Sequence, residues 1–291
     1  MAESRANDTI RMLHERASLR TFSDRPIPDE VMDAVLGAGI HSATGGNLQP
    51  YSIIRIQAPE VRRKLAEMCH QAFIADAPVS LLFCIDWRRL ERWAALETAP
   101  FAARGSFRHF WISFQDTVIA AQSICTAVDS FGMGSVYIGT IMEFFAECRD
   151  MFELPAGVLP VVLLCLGYPR KELAKPRAKL GVEVVVHEER YREIRDDELR
   201  AAFDAKYAMK PKISDRALSE IEAVCREVRG DEFAARCLER IRAAGFINMA
   251  QYYFGLHYQA NEMAKGNQDF VKRIGEAGFN WFGPPRFEGR V

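Results

Sequence analysis

Near the start of the chain, in ERASLRTFSDRPIP, Arg16, Ser18 and Arg20 alternate along the backbone. In an extended segment such alternate residues fall on one side. Two guanidiniums and a hydroxyl converging there make a clamp for phosphate or carboxylate, because arginine offers paired donors to those groups. A solvated basic edge at a helix end is the plainer alternative. A second candidate is HSATGGNLQPY, His41 to Tyr51. Gly45 and Gly46 permit positive φ and let a ligand approach the backbone, and Asn47 and Gln49 place two amides at i and i+2. A helix cap followed by a turn would look the same. The stretch is not a P-loop, since no Gly-Lys-Ser/Thr follows and no strand precedes it. The third candidate is GMGSVYIGT, Gly132 to Thr140, where glycines frame a strand whose backbone donors could face a flat ligand or simply pack tightly. In the fourth, PRAKLGVEVVVH, Arg177 and Lys179 repeat the alternating basic pattern, as a second clamp or a solvated linker.

These groups must be held by the elements between them. Asp8–Arg16 has helical character, and Ser18–Pro28 reads as loop with its two prolines. Pro28 opens a helix with Asp29 and Glu30 in the first turn, where the helix dipole favours negative charge. Tyr51–Gln57 is rich in β-branched residues and reads as a strand. Val79–Ile85 and Val158–Leu166 are apolar runs of buried-strand length, and Gly132–Gly139 and Gly181–His187 are shorter strand candidates. Pro59–Phe73 is an amphipathic helix, Phe114–Phe131 a long buried one, and Phe144–Phe152 a third. Asp86–Arg108 is irregular in pattern, with Trp87, Trp93, Phe101 and Phe107 among arginines. From about Arg195 the character changes to charged helical stretches (Asp197–Ala208, Ser214–Arg229, Asp231–Ala244), followed by Phe246–Lys265, rich in Tyr and Met. Helices and strands mix without βαβ alternation, which predicts an α+β fold.

A net charge of −1 argues against nucleic acid or an anionic membrane as partner. The N-terminal residues lack the apolar core of a signal peptide, and no apolar run reaches membrane-span length. Seven cysteines without a CxxC pair read as reduced core thiols, not a disulfide or metal set. Together these predict a cytoplasmic protein with no metal site.

Taken in order, RASLRTF with PIP after it, GGNLQPY, GMGSVYIG and LGYP…PRAKLGVEVVVH resemble the flavin-dependent nitroreductase family. The resemblance spans about Asp8 to Ile194. It implies a central mixed β-sheet flanked by helices, in an intertwined homodimer with FMN at the subunit interface. It divides the chain into an FMN-binding domain, residues 1–194, and a C-terminal helical extension, residues 195–291. Carried over, Arg16, Ala17 and Ser18 lie at the FMN phosphate and ribityl end, with Arg177 and Lys179 closing on the phosphate. Arg20 approaches the flavin N1/O2 edge, where a cation favours the reduced anion. Thr44, Gly45 and Asn47 line one side of the flavin, and Tyr137, Ile138 and Gly139 the other, with the Gly139 N–H directed at N5. The implied reaction is ping-pong: NADH or NADPH reduces the flavin, and an electron-poor acceptor such as a nitroaromatic or quinone takes the electrons. No side-chain catalyst is required. Gly46, Phe101, Phe107 and Trp111 are candidate substrate contacts, the aromatics within a lid spanning Asp86–Phe114.

The chain departs from the family pattern at Ala43-Thr44, where Pro-Ser is usual, at Tyr51 for a common Trp, and at Ala17, Lys179 and Gly181. His41 is read as a helix-end residue. The aromatics Tyr252, Tyr253, Phe254, Phe279, Trp281 and Phe282 either embrace a second subunit or shape the substrate site. Other readings are a specialised family chemistry (reductive dehalogenation, flavin fragmentation) and a flavin-binding regulatory module without turnover.

Overall fold

The computed structural model describes residues 7–171 and 175–281. Phe282, one of the candidate tail aromatics, lies outside the described residues. The chain divides into two compact units, Met1–Pro176 with Asp269–Val291, and Arg177–Gln268.

The first unit is built on four strands: β1 (Tyr51–Ile56), β2 (Val79–Asp86), β3 (Gly134–Ile138) and β4 (Val158–Gly167), in the order β1-β2-β4-β3. All three pairings are antiparallel, so the expected mixed sheet is corrected to an antiparallel one among the described residues. Every residue of β2 is buried, as its unbroken apolar run requires of a strand covered on both faces. Alternate residues go to opposite faces. Leu82, Cys84, Leu163 and Cys165 join one core cluster; Leu81, Phe83, Leu164 and Leu166 join the other.

Helices cover both faces. In chain order they are α1 (Asp8–Glu15), α2 (Asp29–Ile40), α3 (Pro59–Met68), α4 (Phe73–Asp76), α5 (Trp87–Leu96), α6 (Phe107–Ser130) and α7 (Phe145–Phe152). The first face takes Leu65 and Ala66 of α3, Ile74 of α4 and Cys148 of α7. The second takes Met32 and Val35 of α2, and Ala121, Ile124, Cys125 and Val128 of α6. Gly39 of α2 makes that contact close, since a Cβ there would meet Ile124 at 2.6 Å.

Two helical boundaries differ from expectation. The segment read as irregular contains α5, whose N-terminus is capped by Asp86 accepting the Arg89 N–H at 3.0 Å. The helix expected from Phe114 starts at Phe107, capped by Ser106. A third core gathers Ile85, Trp87, Phe145, Leu159 and Phe279, with Phe101, Phe110 and Trp281 packed against it. Phe279 is 1% exposed, its ring 4.9 Å from that of Trp87. Two of the tail aromatics expected at a partner or a substrate thus serve the core of the first unit.

The second unit carries α8 (Val182–Val185), α9 (Asp196–Lys206), α10 (Asp215–Arg229), α11 (Asp231–Ala244) and α12 (Met249–Tyr252), with a π-helical turn at Tyr253–His257. A last helix, α13 (Asn267–Glu276), follows. Ile221 of α10 and Leu238 and Ile241 of α11 form its core with Ile247. The strand expected at Gly181–His187 is a single helical turn with Val182, Val185 and Val186 exposed. A β-branched run makes a strand only beside an edge that satisfies its backbone, and a lone segment closes its own hydrogen bonds instead.

Candidate functional site

The first basic cluster leaves α1 at Arg16, which turns to extended backbone at φ −56°, ψ 126°. The chain then runs beside β3, an edge strand, with the Leu19 N–H donating to the Ser135 carbonyl at 3.0 Å. Leu19 is buried, whereas Ser18 and Arg20 on either side are exposed, so the alternation is present. The two guanidiniums lean opposite ways around this edge. Arg20 lies 5.8 Å from the ring of Phe73, which packs against the first core cluster. Arg16 lies 6.0 Å from the ring of Tyr137, which packs against the second.

Arg16 is the more constrained of the pair. Its Nε donates to Cys125 Sγ at 3.0 Å and stands 3.6 Å from Asp129 Oδ2. Its Nη2 is buried with no hydrogen-bond partner among the described residues. Burial opposes the Arg16 charge, but Cys125, Asp129 and Tyr137 outweigh it and raise its pKa. For Asp129 the balance is reversed. Burial pushes its carboxyl up to about 6, although Arg16 pulls it down. A 3.6 Å contact without a hydrogen bond does not repay the several kcal/mol that desolvating a carboxylate costs.

Tyr137, Ile138 and Gly139 sit where β3 runs out into a 3-10 turn, Gly139–Glu143. Ile138 is buried and offers a ligand only its backbone; Tyr137 is half-buried and Gly139 exposed. A Cβ on Gly139 would meet nothing within 4 Å, so the space beside it is open.

The opening loop is not extended, so the i, i+2 spacing of Asn47 and Gln49 does not put their amides on one face. Gly45–Asn47 is a 3-10 turn, and Gly46, Asn47 and Gln49 take φ of 61°, 55° and 48°. Only Gly46 does so freely; for the other two the left-handed region costs roughly 1–2 kcal/mol each, less for Asn. The loop is held by side-chain bonds. The Gln49 N–H donates to Thr44 Oγ1 at 3.2 Å, and Gln49 Nε2 to the Ile40 carbonyl at 3.0 Å. Ser42 bonds Ser123 of α6 at 2.8 Å, and both Asp116 oxygens accept the Gly45 N–H at 3.1 Å. α6 therefore anchors the loop through Asp116 and Ser123, and Arg16 through Cys125 and Asp129. None of these four had been singled out; buried polar residues on an otherwise apolar helix were the available signal.

Phe107 and Trp111 lie on the first turns of α6, exposed, and bound an open groove with Arg108 and Ile112. Phe101 packs against the third core. Gly46 is exposed. His41 is an exposed helix-end residue whose Nδ1 lies 2.9 Å from the Gly37 carbonyl. Arg177, Ala178 and Lys179 are exposed in irregular backbone of the second unit. All seven cysteines are free, and no cluster of metal-ligating residues occurs among those described.

Comparison with known proteins adds independent findings. A model described as the nitroreductase family matches residues 13–168. The oxygen-insensitive NADPH nitroreductase of Salmonella typhimurium is 34% identical over 202 residues, covering 69% of this chain and 81% of its own. The FMN reductase (NAD(P)H) of Bacillus subtilis is 30% identical over 203 residues, covering 68% and 80%. A solved NADPH:FMN oxidoreductase from Vibrio harveyi, complexed with NAD+, superposes with a TM-score of 0.69 at 25% identity, over 92% of this chain and 98% of that one. That coverage exceeds what residues 1–194 could supply, so the C-terminal helices have counterparts there.

Proposed function

The chain belongs to the nitroreductase family, and from that premise we propose how its residues divide the work. It is a flavin-dependent oxidoreductase that uses NADH or NADPH to reduce a small acceptor, with FMN as its cofactor. Bound FMN supplies the redox chemistry, accepting electrons from the nicotinamide and passing them on in a ping-pong cycle.

The observation that carries the site assignment is the Arg16 guanidinium. One of its nitrogens is buried without a partner among the described residues, and a buried donor left so costs about 1–3 kcal/mol. A phosphate oxygen is the acceptor such a group is shaped for. Arg16 thus holds the phosphate, with Ser18 and the Ala17 backbone beside it, and the family resemblance assigns Arg177 and Lys179 to the same phosphate. Arg20, on the other side of the β3 edge, places its charge toward the flavin ring. Tyr137, Ile138 and the open space at Gly139 receive one side of the ring, and Thr44, Gly45 and Asn47 the other. Gly46, Phe107 and Trp111 meet the acceptor; Phe101 supports them from the core. No side chain exchanges protons with the acceptor in this scheme. In the same reading residues 1–194 form the FMN-binding domain and residues 195–291 its extension.

The working form is a cytoplasmic homodimer. Val118 and Ile119 of α6 are exposed, and so are Val182, Val185 and Val186. Exposed apolar side chains suit an interface, and a second copy covers them. Free thiols suit a reducing compartment, and no helix among the described residues is long and apolar enough to cross a membrane.

The test is anaerobic mixing of the yellow protein with NADH and with NADPH. Loss of flavin absorbance within seconds is expected with at least one donor. The double variant Arg16→Ala with Lys179→Ala is expected to fold and release FMN. Unchanged FMN affinity in that variant refutes the phosphate assignment.

A further inference from the structure

The loop between α2 and β1 is strained where a surface turn has no need to be. Three of the four residues Gly46–Gln49 have left-handed φ, two of them non-glycine. Its two ends are held by side chains of opposite charge on different elements.

At the N-terminal end the anchor is Asp116. This residue is 5% exposed, and both carboxylate oxygens accept the Gly45 N–H. No cation pairs with it among the described residues. A buried carboxylate without a cation is costly, and burial raises its pKa against the effect of the Gly45 bond. At the C-terminal end the anchor is Arg89 of α5. Its Nη2 donates to the Gln49 carbonyl at 2.6 Å and the Tyr51 carbonyl at 2.7 Å, and its Nη1 to Ser52 Oγ at 3.1 Å. Asp86 fixes Arg89 in turn, at 3.6 Å, and accepts the Ser52 hydroxyl at 2.5 Å.

We propose that Asp116 and Arg89 are positioning residues that clamp the loop Thr44–Tyr51 from its two ends, in the strained shape that meets the flavin. A core built for stability alone would fill the Asp116 position with an apolar residue. Strain that the surroundings impose from both sides is the mark of a preorganised binding segment. The proposal rests on the flavin reading above.

The experiment measures the FMN dissociation constant and the thermal midpoint of full-length Asp116→Leu, Asp116→Asn, Arg89→Met and the Leu/Met double variant. Leu and Met are each expected to weaken FMN about tenfold or more, the worth of one or two lost hydrogen bonds. Asn still offers an oxygen to the Gly45 N–H and is expected to stay within about threefold. The double variant is expected to lose less than the product of the two single losses, because either change frees the same loop. Arg89 is half exposed, so Arg89→Met carries the test even if Asp116→Leu does not fold. Unchanged affinity in Arg89→Met, an Asn variant as weak as Leu, or losses that multiply independently would each overturn the clamp. If the wild type takes up no FMN, the flavin reading falls and the clamp with it. Normal wild-type uptake with unaltered variants removes the clamp alone.

Discussion

Asp129→Asn tests whether burial or ion pairing governs the charge beside Arg16. The carboxyl is raised from 3.8 to about 6 in the folded chain, with burial as the larger cause and Arg16 opposing it. The other polar groups near it are Cys125, which accepts from Arg16, and Tyr137, whose pKa burial raises. A guanidinium 3.6 Å away attracts with about 4–5 kcal/mol at an effective dielectric of 20. Desolvation costs several kcal/mol, and Asp129 Oδ2 has no hydrogen bond among the described residues to recover it. A folded pKa above the unfolded one means the folded state holds its proton more tightly. The stability from Asp129 is therefore fully present below about pH 4 and is lost as pH rises through 6. A shift of roughly two units corresponds to about 3 kcal/mol. Asparagine does not titrate. Urea unfolding of FMN-free wild type and variant from pH 4.5 to 7.5 is expected to show the variant gaining about 2 kcal/mol relative to wild type. A pH-independent difference, or one that grows in favour of wild type, would refute the dominance of burial.

Two further predictions concern stability. Phe279→Ala empties a fully buried position against Trp87, and is expected to cost about 3–5 kcal/mol in chemical denaturation; a loss under 1 kcal/mol would mean the C-terminal aromatics do not support the first unit. Glu153 ends α7 in the left-handed region, φ 51°, and is exposed, so Glu153→Gly is expected to raise unfolding free energy by about 0.5–1 kcal/mol, and a lower urea midpoint would contradict the strain assigned there.

Much of the scaffold was legible because its signals are local. The apolar runs of β2 and β4, the Pro28-Asp29-Glu30 start of α2 and the amphipathic pattern of α10 and α11 each specify an element without reference to the rest. The misreadings have distinct physical causes. Asp86 reads in sequence as the start of an irregular segment and is both the last residue of β2 and a helix cap, a double role that the arginines of Asp86–Arg108 conceal. Val182–Val186 has strand propensity, but a strand needs a neighbour, and propensity carries no information about whether one exists. The direction of sheet pairing was inferred from the resemblance, and nothing within the four strands encodes it locally. At the candidate site the residue types were visible and their directions were not. Arg16 and Arg20 straddle β3 because Leu19 is tied to Ser135, a long-range bond that no spacing reveals.

The site's oddities share one element. Asp116 is a buried carboxylate facing a backbone N–H, Cys125 accepts from a guanidinium, and Asp129 is a carboxylate held up near neutrality, at opposite edges of the buried face of α6. Ordinary core helices carry apolar residues at such positions, and α6 does so at Ala120, Ala121, Ile124 and Val128. The polar exceptions therefore mark where the helix must do something besides pack. Nine residues separate Asp116 from Cys125, about 14 Å along the axis. One anchor holds the opening loop and the other holds Arg16, the residue proposed for the phosphate. Departures from local consistency concentrate at functional positions in natural sequences, and here they trace the two ends of the proposed flavin site along a single rigid helix. A site held this way keeps its geometry when the surface loops vary, so the relaxed family motif at Ala43-Thr44 is compatible with retained FMN binding.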